Sequence, residues 1–361
     1  MDRRLDRKSH TAQLFAIAFL FAGAMNWSCA LGECKLLLLA TLPVTVSNNR
    51  PLIEGEINGH KIKILVDTGS AYTTIWRSEA IRLGLPLEDV RGTRIFGVGG
   101  ETRVQSTKTE EFKLDQVVTH GVKFLVIGEG QNDTFSMLLG EDFLSKLTIE
   151  FDLAHGAMRL FRTESCKTEQ LMYWSPTYSA ATLESPPTHT LKVETAVELN
   201  GKRVIATWDS GATHSIVSPG AVAHAGIRGE DTEVQETYTG AGIGRREVKF
   251  TVAKFDSIAI GDEKVQNLRL QVTELAQNMR VGVTGSRVSA PIQGAPHMLI
   301  GADFFLSHRI IIPPNGPAIP FTYAGGPVFQ ATHNVAPEAG VSTSTDIQST
   351  GAAAKPEGGA R

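Results

Sequence analysis

The 361-residue chain predicts an all-β protein with short helices, built as two copies of one lobe, and three observations lead to that reading. The first is texture: short runs of apolar and β-branched residues, several in strict alternation with polar ones, are cut by turn formers that include 35 glycines and 16 prolines. That pattern fits strands and tight turns better than helices. The second is a repeated motif. Ile64-Leu65-Val66-Asp67-Thr68-Gly69-Ser70 brings an apolar run to a carboxylate, and Ile205-Ala206-Thr207-Trp208-Asp209-Ser210-Gly211-Ala212 does the same further on. The third is spacing: Gly59 and Gly201, Asp67 and Asp209, and Gly84 and Gly226 are each 142 residues apart. A constant offset of this kind is the trace of a duplicated structural unit.

The elements follow in chain order. Arg3, Arg4, Arg7 and Lys8 precede an apolar run from Leu14 to Met25, and Ser28-Cys29-Ala30 follows. The run is short for a membrane span, which takes ~20 apolar residues. Small residues at 28 and 30 allow cleavage after Ala30, so residues 1–30 are expected to be a signal peptide, with a retained anchor as the alternative. The protein is accordingly expected to be exported, to the periplasm or outside the cell. Residues 31–165 then form the first lobe, 166–190 a linker with two Ser-Pro steps, 191–324 the second lobe and 325–361 a tail of small and polar residues expected to be disordered.

Within the first lobe, Ile62, Ile64 and Val66 alternate with Lys61, Lys63 and Leu65, a strand buried on at least one face. Ser78 to Leu83 reads as one or two helical turns closed by Gly84. Ile95 to Glu101 reads as a glycine-rich hairpin tip, and Met137-Leu138-Leu139-Gly140 leads into a short helix from Glu141 to Leu147. Thr148 to Phe161 forms a hairpin turning at His155-Gly156. The second lobe repeats the plan, with Thr239 to Gly244 in the hairpin-tip slot and Leu299-Ile300-Gly301 matching Leu138-Leu139-Gly140. From tip glycine to terminal glycine the distance grows from 41 to 59 residues, and the 18 extra residues are expected to form a loop between Gln277 and Pro296.

Composition excludes some functions. A formal net charge of −3 and the absence of a basic run beyond the N-terminus predict no nucleic-acid partner and no attraction to anionic membrane. Neither the three cysteines nor the scattered histidines are spaced as metal ligands, so no metal or cofactor is expected. Cys34 and Cys166 could pair in an oxidising compartment or remain two thiols; sequence leaves both open.

The two Asp-[Thr/Ser]-Gly loops supply two carboxylates, and on these residues the chain resembles the retropepsin-like aspartic proteases, as two tandem lobes. The resemblance covers roughly residues 50–163 and 192–312 and rests on both loops, both glycine-rich hairpins and both apolar-apolar-Gly triplets. It implies closed-barrel lobes joined as an internal pseudo-dimer, with Asp67 and Asp209 as a catalytic dyad. Thr68, Gly69 and Ser70, with Ser210, Gly211 and Ala212, would support the loops, and Thr68 and Ser210 would bond across the lobe interface. Gly97, Val98, Gly99 and Gly100, with Gly240, Ala241, Gly242, Ile243 and Gly244, would be flaps closing over an extended polypeptide substrate. The activity implied is that of an aspartic endopeptidase acting as a monomer. A catalytically inactive peptide-binding module and a homodimer with lobes paired between chains are the alternatives.

Other residues carry narrower expectations. Asp142 and Asp303 read as caps or turn residues at a helix start. Trp208, where the first copy has Val66, reads as a lobe-packing residue. Ser70 against Ala212 predicts an asymmetric dyad, because a Ser70 hydroxyl bonded to Asp67 would favour its charged form.

Overall fold

The computed structural model describes residues 33–97, 100–128, 134–184, 192–228, 232–234, 249–275, 280–282, 289–291, 297–314 and 316–329. Strands dominate them, with a handful of helices of six residues or fewer. The two lobes share one topology. In the first, His60–Val66 pairs antiparallel with Arg50–Ile57 and parallel with Met137–Leu139, which runs antiparallel to Thr74–Trp76. In the second, Lys202–Trp208 pairs antiparallel with Glu194–Leu199 and parallel with Met298–Ile300, which runs antiparallel to Ile216–Val217. The turns agree as well. Asn58-Gly59 and Asn200-Gly201 all take positive φ, the two-residue hairpin geometry that Asn-Gly favours.

The lobes meet in a sheet to which both contribute. Its order is Lys35–Pro43, Ala157–Glu164, Thr148–Asp152, His308–Ile312, Ala318–Tyr323 and Ser179–Thr182. The seam is the antiparallel pairing of Ile149 with Ile312 and Phe151 with Ile310. Phe151 and Phe305 stack edge to face across it at 5.0 Å. On one face of this sheet Glu150, whose side chain is fully buried, is held by Arg309 at 2.8 Å, by Tyr173 at 2.6 Å and by Arg159. The Arg309 guanidinium also lies 4.1 Å from the centre of the Trp174 ring. A buried carboxylate is tolerated only with such partners. The cluster ties a first-lobe strand, a second-lobe strand and the segment between them.

Several local expectations find their place. Arg77–Arg82 is a helix, and Thr148–Asp152 and Ala157–Glu164 form the hairpin about His155-Gly156. Ile62, Ile64 and Val66 are buried, and Leu65 is buried on the opposite side. The joining segment 166–190 holds a short helix, Thr168–Leu171, and the sheet strand Ser179–Thr182. The stretch expected as a loop contains the paired strands Arg280–Gly282 and Ser289–Pro291 instead. Folded contacts run into the segment assigned to the tail: Phe329 is buried and stacks on Phe304 at 5.6 Å. Cys34 and Cys166 form a disulfide that ties the first sheet strand to the joining segment. The segment expected to be a signal peptide, residues 1–30, lies outside the described residues. Among the described residues, no helix is long and apolar enough to cross a membrane.

Candidate active site

Each Asp arrives at the end of a buried strand, and its backbone N–H donates to the triplet strand behind it. Asp67 N bonds Leu139 O at 3.0 Å, and Asp209 N bonds Ile300 O at 2.9 Å. The loop then folds back on its own carboxylate. Gly69 N and Ser70 N both donate to Asp67 Oδ1 at 3.0 Å, and Gly211 N and Ala212 N both donate to Asp209 Oδ1 at 3.0 Å. The other oxygen of each carboxyl takes no backbone donor, and the two carboxyls are close enough to act on one another's proton affinity.

The glycines explain themselves by close approach. A Cβ on Gly69 would collide with the Asp209 carboxyl, and one on Gly211 would collide with that of Asp67. Each loop therefore packs its glycine against the opposite carboxylate. Gly140 and Gly301 are constrained in the same way from behind, against the Tyr72 and His214 backbones.

A crossed set of bonds fixes the loops to one another. Thr68 Oγ1 donates to Trp208 O at 2.8 Å, and Ser210 Oγ donates to Val66 O at 2.8 Å. Thr68 N donates to Ser210 Oγ at 3.2 Å, and Ser210 N donates to Thr68 Oγ1 at 3.0 Å. Both hydroxyls are fully buried, so every donor and acceptor in the exchange needs its partner. This is the cross-lobe bonding expected of Thr68 and Ser210.

Burial raises the pKa of both dyad carboxyls. Asp67 is raised well above the usual range by burial, then by the charge of Asp209 and the hydrogen bond between them. Asp209 is raised by burial against the pull of its backbone donors and of the Asp67 hydrogen bond. Two carboxyls in contact cannot both ionise cheaply, so they hold one proton between them.

The asymmetry expected from Ser70 is not present. Its hydroxyl donates to Tyr72 O at 2.9 Å, and the two carboxylates receive equivalent backbone donors. The hydroxyl is occupied by the turn that follows the loop.

Asp142 and Asp303 do not cap their helices, Glu141–Leu144 and Ala302–Ser307, whose N-cap residues are Gly140 and Gly301 with no side-chain cap. They hold the turns beyond the loops. Thr73 donates to Asp142 Oδ1 from its N–H at 2.8 Å and its hydroxyl at 2.6 Å, and Ser215 donates likewise to Asp303 at 2.9 and 2.7 Å. The same hydroxyls accept from Gly140 N and Gly301 N. A hydroxyl six residues after each Asp and an acid two residues after each terminal glycine were the sequence signal for this pair. Trp208 is fully buried against Phe304 and Phe305, with its Nε1 donating to Thr195 Oγ1 at 3.0 Å.

Sequence reasoning overlooked the hairpin of Thr45–Ser47 with Arg50–Ile57, which turns at Asn48-Asn49. Asn49 Nδ2 reaches Thr213 O at 3.3 Å across the lobe interface. Arg50 is close enough to Asp67 for the two charges to interact, though burial still lowers its pKa. Of the flap residues, Gly97 and Gly100 are paired strand ends of one hairpin. Val98, Gly99, Gly240, Ala241, Gly242, Ile243 and Gly244 lie outside the described residues. Among the described residues, no group of His, Cys, Asp and Glu side chains could hold a metal ion.

Residues 53–146 match the family model described as "gag-polyprotein putative aspartyl protease", and residues 195–304 match the one described as "Aspartyl protease". The chain belongs to the retropepsin-like aspartyl protease family. It carries two such domains in tandem, each containing one Asp-[Thr/Ser]-Gly loop. No match was found among curated proteins. Among solved structures, a retropepsin-like aspartic protease from Rickettsia conorii matches over 36% of this chain and 95% of its own, with 19% identity and a TM-score of 0.28. An aspartic proteinase from Irpex lacteus matches over 79% of this chain and 97% of its own, with 10% identity and a TM-score of 0.45.

Proposed function

We propose that the chain is an aspartic endopeptidase whose catalytic pair is Asp67 and Asp209. The observation that carries this reading is the contact of the two carboxyls, each fixed by two backbone N–H groups and backed by the other loop's glycine. One proton and one negative charge on such a pair suit it to act as acid and base at once. The ionised carboxylate takes a proton from a water, whose oxygen attacks the peptide carbonyl carbon. The protonated carboxyl donates to the carbonyl oxygen, and on collapse of the tetrahedral intermediate the departing nitrogen is protonated. Neither a metal nor a covalent enzyme intermediate is needed. The glycine-rich hairpins would close over an extended polypeptide, excluding water and adding backbone hydrogen bonds.

The chain would work as a monomer, since both loops meet within one molecule. Export through the N-terminal leader belongs to the same proposal, and the Cys34–Cys166 disulfide favours it because such bonds persist in oxidising compartments. The test is cleavage of a denatured protein at acidic and neutral pH by the purified chain, with and without pepstatin, beside Asp67→Asn and Asp209→Asn. Pepstatin-sensitive cleavage by the parent and none by either variant is the expected result. A folded, monodisperse parent that cleaves nothing at either pH would leave only the peptide-binding alternative.

A further inference from the structure

The two lobes match in topology and register, so positions 142 residues apart can be compared directly, and one such comparison breaks the symmetry beside the dyad. Side chains alternate across a strand. Val66 and Trp208 point into the main core, so Leu65 and Thr207 point to the other face, the one that Asp67 and Asp209 share. In the first lobe that face continues as a small apolar cluster of Leu52, Leu65, Ile127, Phe135 and Leu138, separate from the main core. In the second lobe the corresponding cluster is Ile216, Phe250, Leu275 and Leu299, with Ala212 at its margin. Ala212 is also the residue whose N–H binds Asp209. Leu65 stands two residues before Asp67 and Ala212 three after Asp209, so each cluster adjoins the Asp loop of its own lobe.

Their composition differs where the duplication pairs Leu52 with Glu194 and Leu65 with Thr207, and in the opposite sense where it pairs Thr74 with Ile216. The registers are the same, Leu52 opposite Leu65 and Glu194 opposite Thr207. Leu138 and Leu299 lie beside Leu65 and Thr207 in matching parallel pairs. In the second lobe the leucine pair has thus become a carboxylate and a hydroxyl, with Thr207 Oγ1 donating to Glu194 Oε1 at 3.4 Å. Among the described residues, no cation lies within ion-pair distance of Glu194.

We infer that the cleft has two unlike walls: a first-lobe wall where the Leu52–Leu65 pair takes a large apolar side chain, and a second-lobe wall where Glu194 and Thr207 select a basic side chain. The chain would thus cut where an apolar residue lies on one side of the scissile bond and Lys or Arg on the other. A carboxylate left facing a bound leucine would be desolvated without a partner, and this is what excludes the apolar residue there. The inference rests on the protease reading, and it names the substrate class for the same site.

The test is a peptide library cleaved by the parent chain and by Glu194→Gln, which removes charge at nearly constant shape, with Glu194→Leu/Thr207→Leu as the variant that copies the first lobe. The parent should prefer Lys or Arg to Leu at one flanking position by at least about tenfold. Glu194→Gln should lose most of that preference, and the double variant should prefer apolar residues on both sides. Cleavage that is apolar on both sides in the parent, or a basic preference unchanged in Glu194→Gln, overturns the inference and leaves the protease reading intact. Absence of cleavage by the parent overturns the protease reading. In that case, library binding decides the subsite: basic peptides retained by the parent and lost by Glu194→Gln support it, and equal retention by both overturns it.

Discussion

Glu141 is the least comfortable carboxyl near the dyad, and its pH response can be worked out in advance. It follows Gly140, its N–H donates to Ser70 O of the first loop at 2.8 Å, and the second lobe has Ala302 at the same place. Its side chain is 3% exposed and its Oε1 has no hydrogen-bond partner among the described residues. Burial, and then the neighbouring charge of Asp142, push its pKa from 4.5 up to about 8. A carboxyl raised on folding favours the folded state in its protonated form, so its contribution is intact below pH ~4.5 and declines as pH rises toward 8. Each unit of pH in that window costs about 1.4 kcal/mol, which gives about 3 kcal/mol between pH 4 and pH 7. Glu141→Gln keeps the shape and removes the titration. Unfolding free energies of parent and variant at pH 4 and pH 7 are the assay, because every other ionisable group then cancels in the difference. The variant should gain about 3 kcal/mol on the parent as pH rises. A gap that stays constant between the two pH values would show that Glu141 titrates in the folded chain as it does in the unfolded one, and the burial argument would be wrong.

Other outcomes follow from the same geometry. Thr68→Val and Ser210→Ala each leave one carbonyl and one N–H without their hydroxyl partner, so each should cost about 2–3 kcal/mol in denaturant unfolding, with the second substitution adding much less than the first. Ser70→Ala should leave the pH profile of peptide cleavage unmoved, since the hydroxyl bonds Tyr72 O; a displaced limb in kcat/KM against pH would contradict that. Arg309→Ala strips Glu150 of one of its two arginines and should destabilise the chain by about 2–4 kcal/mol in thermal or denaturant melts. Cys34→Ser opens a loop of 132 residues and should cost about 2–5 kcal/mol. A reductant should reproduce that loss in the parent and have no effect on the variant.

The parts of this molecule that could be read in the sequence are those whose cause is local or duplicated. Asp67 and Asp209 stood out because a strand-ending Asp-[Thr/Ser]-Gly is rare enough to notice twice at one offset, and the Asn-Gly hairpins because that dipeptide is suited to positive φ. Trp208 could be read as packing because an indole facing the core side of its strand has nowhere else to go. The interlobe sheet could not be read: Ser179–Thr182 pairs with Ala318–Tyr323 across more than a hundred residues, and no local pattern specifies such a partner. The Ser70 hydroxyl was misassigned for a related reason, since the path of the turn, which no local motif specifies, is what brings Tyr72 O to it.

The duplication also shows where the two copies were under different demands. Residues whose side chains or missing side chains meet the opposite loop or the turn behind it are matched in kind: Thr68 and Ser210, Gly69 and Gly211, Thr73 and Ser215, Asp142 and Asp303. Each such position has a partner that a change of chemistry would leave unsatisfied, a buried carbonyl, the opposite carboxylate or a backbone N–H. The positions that diverge, Leu52 and Glu194, Leu65 and Thr207, Glu141 and Ala302, make no bond to the opposite loop. Glu194 and Thr207 could change together because the hydroxyl satisfies part of the carboxylate. Glu141 changed without such a partner, and the cost falls on stability above its window rather than on the geometry of the dyad.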